Sequence, residues 1–321
     1  MERGMGQVAD REAARNKEAV EAEGPGGAKG PSKVLVGTLM GLAGGTLWGI
    51  NGTVASILMT DYGVGPVWLV CMRELLACWL FLLVAHLRTP GKVREVLGSP
   101  RALRSVLAVS LGSILFSQVA YIQAIHATNS ATATVLQSLN VLIVMVYVCL
   151  VNRRLPRRRE LVGMVLATVG TYLIVTGGDI GRLQLPPLGL FWGLMTAAAA
   201  AILSVQPLRP MARWGNFTVN GLAFLISGVL LAAFAQPWAH MPVLDARGWG
   251  LLFYTVVLGT FGAYGLYLAG VNRVGSIRGT MLGTLEPVMA TISTVLLMGT
   301  TFTPADLAGF AMILAMVFLT A

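Results

Sequence analysis

Residues 131–151 read ATATVLQSLNVLIVMVYVCLV, and residues 277–297, 146 positions further on, read IRGTMLGTLEPVMATISTVLL. Each is apolar over the ~20 residues that a helix needs to cross the hydrocarbon core of a bilayer. The two stretches also share a register that extends beyond them in both directions. At the same offset Tyr121 meets Tyr267, Ser130 meets Ser276, Thr134 meets Thr280, Leu136 meets Leu282 and Leu139 meets Leu285. Further on, Leu150 meets Leu296, Leu161 meets Leu307, Gly163 meets Gly309 and Leu173 meets Leu319. Asn140 falls opposite Glu286, and Glu160 opposite Asp306. The identity is weak, but it runs without a gap over two helical hairpins and a further helix, as an internal repeat does.

Working outward, apolar segments follow one another along the whole chain after Lys33. They lie near 34–58, 66–87, 104–125, 131–151, 158–176, 187–206, 217–236, 248–270, 277–298 and 304–321. The fold class expected is an all-α integral membrane protein with ten transmembrane helices. Of the 321 residues 55% are hydrophobic and 12% charged, with mean hydropathy +0.73, and a soluble domain carries about twice that charge. The segments are rich in Gly, Ala, Ser and Thr, the small residues that let helix backbones approach in lipid.

The net charge of +9 would suggest nucleic acid in a soluble protein, but here the basic residues sit between apolar segments. The connection after span two carries Arg88, Lys92, Arg94, Arg101 and Arg104, and that after span four carries Arg153, Arg154, Arg157, Arg158 and Arg159. Arg209 and Arg213 follow span six, and Arg273 and Arg278 follow span eight. The intervening loops hold only Arg182 and Arg247. Basic loops stay in the cytoplasm, so both termini are expected there and the protein in the cell membrane. One span more or fewer midway would break this alternation.

Residues 1–33 balance six basic against six acidic residues, lack the apolar core of a signal peptide and read as a disordered cytoplasmic tail. Two five-span units are expected to follow, at 34–176 and 187–321. Ala321 meets Val175, the end of span five, in the repeat register, so the chain is expected to be essentially complete. An odd number of spans per unit puts the second in the opposite orientation to the first. Inverted repeats provide two related packings, one open to each side of the membrane, which is the physical basis of alternating access. The labels expected from this arrangement are Ser130 at the outer face and Ser276 at the inner.

The chain resembles EamA-type transporters of the drug/metabolite transporter superfamily over about residues 37–321. The resemblance rests on GLAGGTLWGIN at 41–51, on Arg73 early in span two and, most specifically, on Gly283-Thr-Leu-Glu286-Pro287-Val288 in span nine. It implies two inverted five-helix repeats around a central cavity walled by spans three, four, eight and nine and their neighbours. It also implies transport of small metabolites such as amino acids. Where the first repeat of such proteins often has proline after the residue matching Asn140, this chain has Val141.

Ionisable residues inside a span are costly and usually face a cavity or a partner. Glu286 precedes Pro287, whose missing N–H frees a carbonyl one turn earlier. Its carboxylate is placed to meet a substrate amine or exchange a proton, or to bond backbone or pair with Arg73 and hold the bundle. Arg73, ~10 Å along span two by helix rise, is a candidate charge partner; Glu74, adjacent to it, points to a different face. Gln118 and Tyr121 share a face of span three, Gln137 and Asn140 a face of span four, and Trp48 and Asn51 a face of span one. Tyr264 and Tyr267 in span eight, and Glu286 in span nine, are the repeat counterparts. Together these residues are expected to line a substrate cavity, with interhelical hydrogen bonding as the plainer reading of each taken singly.

Cys71, Cys78 and Cys149 lie in apolar runs without CxxC spacing, and His126, His240 and Asp179 sit at loop edges, so no metal or cofactor is expected. There is no GxxxxGK[ST] motif and no nucleophile–base set, which argues against a P-loop pump or an enzyme. The function expected is a secondary transporter of a small polar or amphipathic metabolite, an amino acid or related compound, in the export direction. The alternatives are a carrier of drugs or other metabolites, and a non-transporting receptor or scaffold. Expected partners are a small-molecule substrate, the lipid bilayer and protons as coupling ion, with no nucleic acid, the protein acting as a monomer or homodimer.

Overall fold

A computed structural model of the chain describes residues 31–179, 183–275 and 282–320. Most of the N-terminal tail, Arg182, and Ser276, Arg278 and Thr280 of the repeat lie outside them. The described residues form α1 (Pro31–Asp61), α2 (Pro66–Arg88), α3 (Pro100–Ala127), α4 (Ser130–Val151), α5 (Arg158–Thr176), α6 (Pro187–Val205), α7 (Asn216–Ala235) and α8 (Ala246–Val274). These eight are long and apolar enough to cross a membrane; α9 (Leu285–Met298) and α10 (Pro304–Thr320) are shorter apolar helices. There is no strand among the described residues. Apart from the start of α9, helix ends fall within about four residues of the apolar segments.

The sequence places these ends by ordinary capping. Proline opens α2, α3, α6 and α10, where its missing N–H is not needed. Asn129 and Asp245 accept from the backbone N–H groups of Thr132 and Gly248 at 2.9 and 2.7 Å. The repeat-matched acids Glu160 and Asp306 do the same job at the third position of α5 and α10. Glu160 accepts from the Arg157 N–H at 2.6 Å, and Asp306 from the Thr303 N–H at 2.9 Å.

Packing depends on glycine. Along α1, Gly37 and Gly44 lie against Arg273 and Tyr267 of α8, and Gly45 and Gly49 against the backbone at Leu282 and Glu286. A Cβ at any of these would meet its neighbour inside van der Waals distance. Gly41 rests on Leu282 and Gly193 of α6 on Leu136, which are the repeat-matched leucines. So α1 packs on α8 and α9, while α6 packs on α3 and α4; α2 pairs with α7 and α5 with α10. Exchanging the two halves of the chain returns this same set of partners.

The connections gather into two groups at opposite ends of the bundle. At one, Glu95 of the α2–α3 connection pairs with Lys92 at 2.8 Å and accepts from the Trp214 indole of the α6–α7 connection at 3.1 Å. These donors hold the Glu95 carboxyl below the usual carboxylate range. At the other end the Tyr62 hydroxyl donates to Asp245 at 2.7 Å and Arg247 lies 3.4 Å from Asp61. Trp68 donates its indole N–H to the Pro237 carbonyl at 3.1 Å beneath them.

Gly49→Leu is expected to force α1 off α9 and cost about 1–3 kcal/mol, as overpacking does. Thermal scans of the detergent-purified protein should show a lowered midpoint, whereas Gly250→Leu, at a position with open space around it, should leave the midpoint in place.

Candidate functional site

Two of the helices are interrupted at matched positions. In α4, Gln137 ends one helical segment and Asn140 begins the next, with a tight turn at Ser138 and Leu139. Near α9 the chain turns at Thr284, the residue matched to Ser138, before Leu285 starts the helix. Different chemistry produces the two turns. Pro287 has no N–H to offer the Gly283 carbonyl. In α4 there is no proline: the Val141 N–H turns to the Ser138 carbonyl at 3.3 Å, and the Asn140 side-chain amide donates to the Gln137 carbonyl at 2.8 Å. Val141 therefore does not remove the interruption, because Asn140 satisfies the carbonyl that the turn frees. Both α3 and α8 also contain a wider-wound π stretch, Ser110–Leu115 and Tyr254–Gly262, which overlap in the repeat register.

These irregular segments surround two adjoining cavities. The first, about 360 Å³, is lined by Trp48, Asn51, Arg73, Gln118, Tyr121, Gln137, Tyr264 and Glu286, with Phe81, Asn220 and Gly259 among its other walls. The second, about 430 Å³, shares Trp48, Gln137 and Glu286 with it and adds Asn140, Tyr267, Gly283 and Pro287. All ten residues singled out from the sequence thus line one cavity or the other. The first cavity reaches Pro207 and Met211 in the α6–α7 connection. Toward the end closed by Tyr62 and Asp245, Leu58, Met59, Val64 and Ile125 are buried.

The side chains are held as follows. Arg73, 3% exposed, donates from Nη2 to Gln118 Oε1 at 2.7 Å, and its buried Nε has no partner. No ion pair joins it to Glu286 among the described residues, so Glu286 is not the structural partner of Arg73. Thr134 gives its proton to the Ser130 carbonyl at 2.7 Å, so at 2.9 Å the Tyr121 hydroxyl is the donor to Thr134 Oγ1. Asn51, 6% exposed, lies against Gly259, where any side chain would displace its amide, and its Oδ1 is buried and unpartnered. The Trp48 ring lies 4.9 Å from Tyr267 and 6.4 Å from Tyr264, and Tyr264 sits 5.4 Å from Phe81. Asn220 donates to the Tyr264 hydroxyl at 2.5 Å.

Phe81 and Asn220 were not singled out beforehand. Asn220 is an amide inside an apolar segment, the same signal that marks Asn51; Phe81 stands in the run Trp79-Leu-Phe-Leu-Leu-Val84 and carries no sign of its neighbours. The arrangement can seat a small solute between an aromatic wall, a guanidinium and a carboxyl group, with amides between them.

A bundle of long apolar helices around polar cavities is the architecture of a multi-pass membrane protein, and comparison with known proteins gives the class as a transporter. The EamA-like transporter family model matches residues 35–176 and again 187–321, and the chain belongs to that family. It is 31% identical over 284 residues to "Uncharacterized inner membrane transporter YicL" of Salmonella typhimurium, a match covering 88% of this chain and 94% of that protein. It is 24% identical over 164 residues to "Uncharacterized transporter YwfM" of Bacillus subtilis, covering 51% and 55% of the two chains. A solved crystal structure shares the fold at a TM-score of 0.61 and 18% identity, covering 88% of this chain and 95% of that one.

Thr134→Val removes the acceptor of the buried Tyr121 hydroxyl, and a loss of about 1–3 kcal/mol is expected. Thr134→Ser keeps the acceptor, so thermal midpoints of the two variants should separate clearly.

Proposed function

We propose that the protein is a secondary transporter that moves a small polar or amphipathic metabolite across the cytoplasmic membrane by alternating access. In this reading α9 and α10 complete ten spans, arranged as two inverted five-helix repeats, with both termini in the cytoplasm. The observation that carries the proposal is the cavity: ten polar, charged or aromatic residues from six helix segments converge where matched helices are interrupted. Substrate sites of inverted-repeat carriers form at such interruptions, because irregular backbone in a membrane is tolerated only where it lines a cavity or is buried in protein. The equivalent packing of α1 on α8 and α9 and of α6 on α3 and α4, and the matched caps Glu160 and Asp306, support the repeat. A scaffold has no use for such a cavity, and a receptor that binds in one has no need of exchangeable halves.

Arg73 and Glu286 both face the first cavity without neutralising each other, which favours a solute with an anionic and a cationic end. An amino acid or related compound fits that pair, its carboxylate toward Arg73, its amine toward Glu286 and its side chain on Trp48 and Tyr264. With basic loops inside, the cavity reaches the cytoplasmic end and the Tyr62–Asp245 and Asp61–Arg247 contacts close the outer end. That state loads from the cytoplasm, as export requires.

Purified protein in liposomes, offered a panel of radiolabelled amino acids, should support counterflow of at least one of them, and Arg73→Gln should abolish it by at least tenfold. Imposed pH gradients should drive uptake in the wild type and not in Glu286→Gln. Equal responses would refute proton exchange at Glu286, and absence of all counterflow would refute amino-acid transport. Orientation is tested at exposed positions, since Ser130 is fully buried: Val243→Cys, 94% exposed, should react with an impermeant reagent from outside. Leu155→Cys, 89% exposed, should react only from inside. The opposite pattern would overturn the orientation.

A further inference from the structure

Glu74 faces neither cavity. It lies on α2 in the seam against α7, 0% exposed, and both of its carboxyl oxygens are buried without a hydrogen-bond partner. The seam is tight: Gly228 of α7 takes Leu75, Gly221 takes Leu82, and Cys71 approaches the Gly228 carbonyl at 3.6 Å. Among the described residues no cation forms an ion pair with the carboxyl: Arg73, the adjacent residue, turns to Gln118 instead. The polar side chain beside it is Ser227, whose hydroxyl hydrogen is already given to the Ala223 carbonyl at 2.8 Å. Ser227 can therefore only accept.

An ionised carboxylate that is fully buried, accepts no hydrogen bond and has its neighbouring guanidinium turned to another partner is costly in a membrane interior. A carboxylic acid in the same place is neutral, and its O–H matches the one function Ser227 has left. We propose that Glu74 is a proton-binding site, occupied by its proton when α2 and α7 are packed as seen here and vacated to water when that seam opens. The site is separate from the cavity carboxyl Glu286, and its part in a transport cycle rests on the transporter reading above. The α2–α7 pair is its own partner when the two halves are exchanged, so a movement that exchanges their packing must rework this seam. Proton occupancy and conformation are then linked, and falling pH favours the arrangement that buries Glu74.

Among the described residues the titratable groups facing the site are few. On α2 they are Cys71 and Cys78, one turn to either side, and Arg73. The α7 segment Asn216–Ala235 contains no titratable side chain at all. From α3, the Tyr121 hydroxyl is given to Thr134 Oγ1 and not to Glu74.

Infrared spectroscopy of the full chain in liposomes reads the proton directly, with no substrate needed. The carbonyl stretch of a protonated carboxylic acid is expected at neutral pH in Glu286→Gln, where the cavity acid is absent, and is expected to be lost in Glu74→Gln,Glu286→Gln. Absence of that band in Glu286→Gln, or its persistence in the double variant, overturns the proposal; the first criterion needs no change at Glu74. A spin label at Ser204→Cys, on the cavity wall, then tests the linkage through its accessibility to a water-soluble relaxation agent. In Glu286→Gln its accessibility should change with pH, and the change should vanish when Glu74→Gln is added. A pH response that survives in the double variant refutes the link. Neither readout depends on flux, so failure of the amino-acid transport reading would leave the outcome of this test standing by itself.

Discussion

In a bilayer every backbone N–H and carbonyl needs a partner inside the protein, and that constraint decides where these helices are allowed to break. The chain breaks regular winding in α4 and before α9, and each break leaves one carbonyl to account for. At Gln137 the carbonyl is taken by the Asn140 amide; at Gly283 the helix has no N–H to offer because residue 287 is proline, and Gly283 lies on the wall of the second cavity. Two unlike solutions at matched positions indicate that the break itself, rather than a particular residue, is what the fold requires. Both breaks open onto the same pair of cavities, where polar backbone is least costly.

The second constraint is proximity. Lipid gives helices no hydrophobic reason to associate, so contact must come from close backbone approach and dispersion. Glycine supplies it along α1 and again at Gly193 on α6, at Gly221 and Gly228 on α7, and at the Gly170–Gly309 crossing of α5 and α10. These contacts draw the bundle tight around the periphery of the cavities. The larger side chains Trp48, Phe81 and Tyr264 then project where the backbones stand apart.

Three ionisable side chains inside the bundle meet three different environments. Arg73 spends one donor on Gln118 and keeps others for the cavity; Glu286 is half-buried on the cavity wall; Glu74 is sealed in a seam. Arg73 and Glu74 are neighbours in sequence and do not form an ion pair, because successive residues on a helix point about a quarter-turn apart. That divergence places Arg73 on the cavity wall and Glu74 in the α2–α7 seam.

Much of this was legible in the chain before folding. The apolar segments place the helices because bilayer thickness sets their length, and the polar residues spaced three apart mark inward faces because the helix period allows nothing else. The nine residues on those faces, and Arg73 marked by its charge inside a span, all line the cavities. Phe81 was not legible, since an aromatic in an apolar run looks the same whether it faces lipid or a pocket. Nor was the interruption at Asn140, which needs its amide turned back on Gln137. The membrane class, the repeat register and the polar faces follow from local periodicity, which sequence carries directly. Which helices touch, that Arg73 chooses Gln118 over an acid, and that Glu74 is sealed against α7 depend on packing between residues far apart in the chain, and only the tertiary structure decides them.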